Sequence, residues 1–104
     1  MIRVVNGKRY NTETAERVAC ASNGAYYSDF NYWSEDLYLT KKGSWFLHGE
    51  GGGLTSYAKI LPDGSRTGGE SIRPMTRAAA RAWLEENDET DALDEKFGEE
   101  IEDA

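Results

Sequence analysis

Turn signals constrain this chain more than any other feature. Asn6-Gly7, Asn23-Gly24, Lys41-Lys42-Gly43, Pro62-Asp63-Gly64 and Gly68-Gly69 divide the first three quarters of it into short pieces. Asn-Gly and lone Gly supply the positive φ that tight turns require, and Pro-Asp-Gly is a turn sequence in its own right. Short pieces between such turns suit strands joined by hairpins. Ile2–Val5 and Lys8–Tyr10 flank Asn6-Gly7 as a first hairpin. Leu37–Thr40 and Ser44–Leu47 form a second, with Gly43 suited to the left-handed position of a three-residue loop. Ser56–Leu61 reads as a strand ended by Pro62-Asp63-Gly64, and Glu70–Arg73 as a short strand stopped by Pro74. Gly49–Gly53 reads as a flexible or tightly turned loop.

Helical signals occupy what remains. Asn11-Thr12-Glu13-Thr14 predicts a helix start, with a capping side chain and an acid in the first turn. Ala15, Val18 and Ala19 then share a face at helical spacing, Cys20 lies mid-helix as a small core residue, and Asn23-Gly24 stops the helix. Thr76 reads as the N-cap of the main helix, with Met75 and Ala80 placed for a hydrophobic staple. Ala80, Trp83 and Leu84 make an apolar stripe that docks on the sheet. A second helix starts near Thr90, where Leu93, Phe97 and Ile101 recur every four residues. The expected fold class is therefore α+β: a mainly antiparallel sheet of hairpins with an N-terminal helix and C-terminal helices packed on it. Residues 1–97 form one domain, and 98–104 form an acidic C-terminal tail whose order the sequence leaves open.

Charge is polarised along this fold. Residues 1–84 carry 8 acids and 11 bases, whereas residues 85–104 carry 11 acids and one base, Lys96. The whole chain has a net charge of −7. That balance disfavours a general nucleic-acid binder, which needs a basic footprint, and a binder of anionic membrane. No apolar run is long enough to span a bilayer, and the N-terminus is too soon broken to read as a signal peptide. A single cysteine excludes an internal disulfide framework and a cysteine-based zinc site, and suits a reducing compartment.

No catalytic set stands out. A nucleophile would have to be Cys20 or a serine with His48 as base, and the sequence does not bring Cys20 to His48. The glycines at 49–53 are followed by Leu54-Thr55 and a strand, so they lack the Lys-Ser or Lys-Thr and helix of a phosphate loop. Glu35, Asp36 and Glu50 lie near aromatics, but nothing fixes the separation that glycoside hydrolysis requires. The acids of the C-terminal region lack calcium-loop spacing. The expectation is a protein without enzymatic activity, cofactor or metal.

Two features point instead to a protein contact. Eight of the twelve aromatic residues lie between positions 26 and 46, and Tyr26, Tyr27, Tyr32 and Trp33 fall in a segment, residues 25–36, that reads as a packed surface loop. Tyrosine and tryptophan make rigid amphipathic anchors at interfaces. Carboxylates crowd the C-terminal region: Glu85, Glu86, Asp88, Glu89 and Asp91 in one cluster, with Asp94 and Glu95 opening the next. Closely spaced carboxylates on a rigid scaffold can stand in for backbone phosphates and dock into a groove lined with Lys and Arg.

Three stretches carry a resemblance. They are Val5-Asn6-Gly7-Lys8-Arg9-Tyr10-Asn11-Thr12-Glu13-Thr14-Ala15, the run Leu37–Gly52 with Lys42-Gly43-Ser44-Trp45-Phe46-Leu47-His48-Gly49-Glu50 at its centre, and Ile72-Arg73-Pro74-Met75-Thr76 leading to Ala80-Arg81-Ala82-Trp83-Leu84. Together they resemble a group of short acidic proteins carried by phages, plasmids and integrative elements of bacteria, most of them without an assigned activity. The resemblance transfers no functional residue. Small acidic proteins of mobile elements often inhibit host defence, anti-CRISPR proteins among them. By that analogy, the chain is expected to inhibit a host nucleic-acid-handling complex in the bacterial cytoplasm, such as a CRISPR effector. Its partner is a protein with a basic groove, with no direct contact to nucleic acid or membrane. The alternative is a small accessory or regulatory interaction module of a mobile element, and a homodimer is compatible with either.

Overall fold

The computed structural model describes all residues 1–104 and has an α+β architecture. A central antiparallel sheet of four strands has the order β3–β4–β5–β8. The strands are β3 (Glu16–Ser22), β4 (Trp33–Leu39), β5 (Trp45–Gly51) and β8 (Gly69–Met75). Two small hairpins stand apart from it, β1 (Ile2–Val5) with β2 (Lys8–Asn11), and β6 (Lys59–Ile60) with β7 (Arg66–Thr67). Helices α1 (Arg77–Glu86) and α2 (Thr90–Phe97) follow, then a 3-10 turn at Gly98–Glu100.

The hairpin turns are where the sequence puts them. Asn6 and Gly7 take φ of 51° and 76°, and Gly43 and Gly64 take 88° and 86°, all in the left-handed region. Thr76 caps α1 by accepting from the Ala79 N–H at 3.0 Å. The Ala80, Trp83 and Leu84 stripe is buried as expected.

The expected N-terminal helix is absent, and that expectation is corrected. Residues 16–22 form strand β3, paired with β4. The Asn11 signal is a turn rather than a cap: its Oδ1 accepts from the Glu13 N–H, and the turn ends by Ala15. Helical and strand readings of a short run of small residues are close in energy, so pairing along β4 decides the outcome. A bulge between Arg17 and Ala19 lets Val18, Ala19 and Ala21 all reach the core. Cys20 consequently points outward and is exposed, not a core residue.

Other boundaries move for the same reason. Trp33–Asp36 belong to β4, not to a loop, and β5 continues through Gly49-Glu50-Gly51. Strand β8 continues through Pro74, which an edge strand tolerates because one side of its backbone has no ladder partner. Only Lys59 and Ile60 of the segment 56–61 are extended and paired. Helix α2 ends at Phe97, leaving Ile101 outside it and 43% exposed, while Ala92 takes a buried place.

Strand alternation gives the sheet two faces. Leu37, Trp45, Leu47 and Met75 face the helices and pack with Trp83, Leu84 and Phe97. Phe97 stacks on Trp45 at 5.4 Å. Arg77 covers the Phe97 ring at 4.4 Å and pairs with Glu100, which ties the 3-10 turn to α1. On the other face, Phe46, Ile72 and Tyr38 meet Tyr10 of the first hairpin. Arg3 anchors that hairpin to the sheet by donating to the Ile72 carbonyl.

Candidate functional site

Helix α1 leaves the sheet at Met75, opposite Trp45, and by Trp83 has crossed to Glu35 of β4. Its acidic end is therefore carried over the middle of the sheet. The chain reverses there through a tight corner. The Glu89 N–H donates to the Leu84 carbonyl and the Asp88 N–H to the Glu85 carbonyl, with Asp88 at φ 53°. This is the Schellman arrangement, with aspartate where glycine is usual. Asparagine and aspartate are the non-glycine residues that visit this conformation most readily.

That corner fixes the predicted acidic residues. Glu85, Glu86 and Asp88 are exposed around the end of α1, with Glu89 half-buried beside them. Asp91, Asp94 and Glu95 lie on the outer face of α2, because Ala92, Leu93, Lys96 and Phe97 turn inward. Glu85 pairs with Arg81 at 3.7 Å and Glu95 with Lys96 at 3.6 Å. Glu86, Asp88, Glu89, Asp91 and Asp94 have no cationic partner within 4.0 Å.

The predicted aromatic residues divide into two kinds. Tyr26 and Tyr27 are 86% and 77% exposed. Tyr32 and Trp33 are half-buried, Tyr32 packing against Tyr27 at 5.3 Å and donating to Glu50 at 3.4 Å. No hydrogen bond or ring contact joins this set to the acidic corner.

The aromatic loop overhangs a groove of about 680 Å³ at the end of the sheet away from Trp45. Tyr27, Phe30 and Tyr32 line it, together with Lys59 and Arg66 of the small hairpin. Five glycines between positions 51 and 69 line it too, with Glu50 and Glu70, which are directly opposite each other on β5 and β8. Lys59 and Arg66 form no ion pair with either carboxylate. Sequence reasoning missed both cations: Lys59 falls within the expected strand Ser56–Leu61, and Arg66 between the Pro62-Asp63-Gly64 turn and the Gly68-Gly69 break.

Close packing accounts for the glycines. A Cβ on Gly49 would fall inside the Tyr57 phenol, and one on Gly52 would meet the Phe30 carbonyl at 2.6 Å. The chain after β5 folds back across this flat strip. Tyr57 lies over Gly49 and donates to the Glu35 carboxylate, which also accepts from Trp83 Nε1 at 3.0 Å. Burial, and then the Glu35 hydrogen bond and charge, push the Tyr57 hydroxyl well above its ordinary value. Glu35 thus links the helix layer to the loop. A tyrosine shortly after a glycine-rich strand was the available signal, since aromatics commonly cover strand glycines.

Of the arrangements considered from sequence, the Cys20–His48 pair is not brought together. Cys20, Asp36 and His48 are consecutive cross-strand neighbours on one face, which sets the Cys20 and His48 backbones about 10 Å apart. His48 meets Glu70 at 2.9 Å instead. Glu35 and Asp36 point to opposite faces, Glu35 engaged with Tyr57 and Trp83. No helix is long and apolar enough to cross a membrane. Comparison with protein-family models, with curated proteins and with solved structures finds no match to this chain.

Proposed function

We propose that the chain is a non-enzymatic inhibitor of a nucleic-acid-handling defence complex, an anti-CRISPR protein of a bacterial mobile element acting in the host cytoplasm. It sets its acidic corner into a basic nucleic-acid groove of that complex. One observation carries this reading. Glu85 and Glu86 occupy the end of α1 at which the helix dipole disfavours negative charge, and no basic residue lies in that last turn. Each such placement costs about 0.3–1 kcal/mol. Stability-neutral alternatives are plentiful at exposed positions, so the arrangement supports a role in contact rather than in folding. The corner is also held by main-chain bonds, which makes the carboxylates a preorganised array.

The test is the quadruple variant Glu85→Gln, Glu86→Gln, Asp88→Asn, Glu89→Gln. Inhibition in a plasmid-interference assay against a panel of effectors should fall sharply, while thermal stability holds or rises. A stable variant that inhibits fully would remove the mimicry mechanism. A second reading, an accessory module of the mobile element itself, draws on the exposed Tyr26 and Tyr27. Recovery of element-encoded machinery in a pull-down, in place of a defence effector, would favour it.

A further inference from the structure

The chain exposes more surface than a monomer of its size should. Its accessible surface is 7142 Å². A folded monomer of 11.6 kDa is expected to expose about 5,800 Å². Its radius of gyration is 15.2 Å, against about 13 Å for a compact chain of this length. The excess of about 1,300 Å² corresponds, counted from two copies, to about 2,600 Å², within the range of obligate homodimer interfaces.

The most exposed apolar side chains lie at the groove end, while Met1, Ile2, Val4 and Ile101 are exposed elsewhere. Tyr27, Phe30 and Leu54 are 77%, 70% and 61% exposed around the groove loop, and Ile60 on the small hairpin is 76% exposed. The groove is lined by charges of both signs, Glu50 and Glu70 with Lys59 and Arg66, and neither cation pairs with either carboxylate. Glu50 and Glu70 directly opposite each other repel, and only His48 and Tyr32 touch them. A surface with an apolar arm, an apolar wall and unpaired charges of both signs has the ingredients that an isologous two-fold contact uses.

We infer that this end of the molecule is a homodimer interface, in which the β6–β7 hairpin of each copy lies against the aromatic loop and groove of the other. Ile60 covers the partner's aromatic wall, and Lys59 and Arg66 meet the partner's carboxylates. The acidic corner on the helix layer stays free, so the dimer presents two of them. This assembly does not depend on the proposed target.

Sedimentation equilibrium of the full chain tests it. The wild type should sediment at twice 11.6 kDa at micromolar concentration. The variants Ile60→Asp and Phe30→Ser should weaken association at least about tenfold with an unchanged circular dichroism spectrum. Lys59→Glu should do the same, and the double variant Lys59→Glu, Glu70→Lys should recover association. As a control, Val4→Asp changes another exposed apolar residue, 60% exposed on the first hairpin, and should leave the dimer intact. A monomeric wild type overturns the inference. So does a dimer that survives Ile60→Asp and Phe30→Ser or breaks with Val4→Asp. Inhibition lost by the corner variant while its dimer persists would separate this surface from the target-binding one.

Discussion

Strands β4, β5 and β8 run through two halves of the molecule that are built in opposite ways. In the Trp45 half, β5 presents Trp45, Phe46 and Leu47 in succession, all buried, and both faces of the sheet are covered by side chains. In the other half the same strand presents Gly49, Glu50 and Gly51. The glycines are still buried, but the Tyr57 ring covers Gly49, and the Thr55 side chain with the Tyr32 carbonyl covers Gly51. The first half is held by apolar packing and the second by glycine clearance and the polar junction at Glu35. Packing consumes the aromatic residues of the first half. The second half uses Tyr57 to cover its strand and leaves Tyr26, Tyr27 and Phe30 on the surface.

The largest effect should come from the packed half. Phe46 is fully buried, stacked on Tyr38 at 5.0 Å and edge-on to Tyr10 at 5.6 Å. Phe46→Ala should cost about 4 kcal/mol, from lost burial plus the cavity left behind. Only 14 of 104 residues are buried, so this one loss should leave the variant largely unfolded at 25 °C, read as a collapse of the urea midpoint. A loss under about 1 kcal/mol would mean that the Trp45 half is not where stability resides.

The glycine half should respond to addition rather than removal. Gly49→Ala places a methyl group where the Tyr57 phenol lies, and the ring is pinned by Glu35. Overpacking of this kind costs about 2 kcal/mol. Loop residues 52–58 should lift from the sheet, and amide exchange there should accelerate while β4 and β5 near Trp45 stay protected. A variant as stable as the wild type would show that the loop is not seated on the strand, and the contrast between the halves would fail.

The two halves were not equally legible. Turn residues, the Thr76 cap and the α1 stripe act through neighbours within a few residues, so the sequence carries them directly. Val18 to Ala21 was misread because small residues satisfy either period and only β4, distant in sequence, selects the strand. The clamp at Glu35 was invisible for a similar reason: Glu35, Tyr57 and Trp83 lie 22 and 48 residues apart and meet only in the fold. The acidic residues were legible as composition. Their rigidity was not, because it depends on Asp88 taking a conformation usually reserved for glycine.

The smallest effect tests the clamp itself, and it has a sign in pH. Tyr57→Phe keeps the ring over Gly49 and removes only the hydroxyl that donates to Glu35. The loss should be about 1 kcal/mol at neutral pH for a half-buried bond of this kind. The Tyr57 hydroxyl is held above its ordinary value of 10.0, mainly by burial and then by Glu35. The unfolded chain therefore releases this proton first. The stabilisation is complete below pH 10.0 and declines as pH rises from there toward the folded-state value. Urea midpoints across that range should fall less steeply in Tyr57→Phe than in the wild type. The slope that remains comes from Tyr38 and Lys96, both also raised, Tyr38 chiefly by burial and Lys96 chiefly by its hydrogen bond to Glu16. Identical alkaline slopes in the two proteins would mean that the hydroxyl is not bonded to Glu35 in solution. The second half of the sheet would then be held by glycine clearance alone.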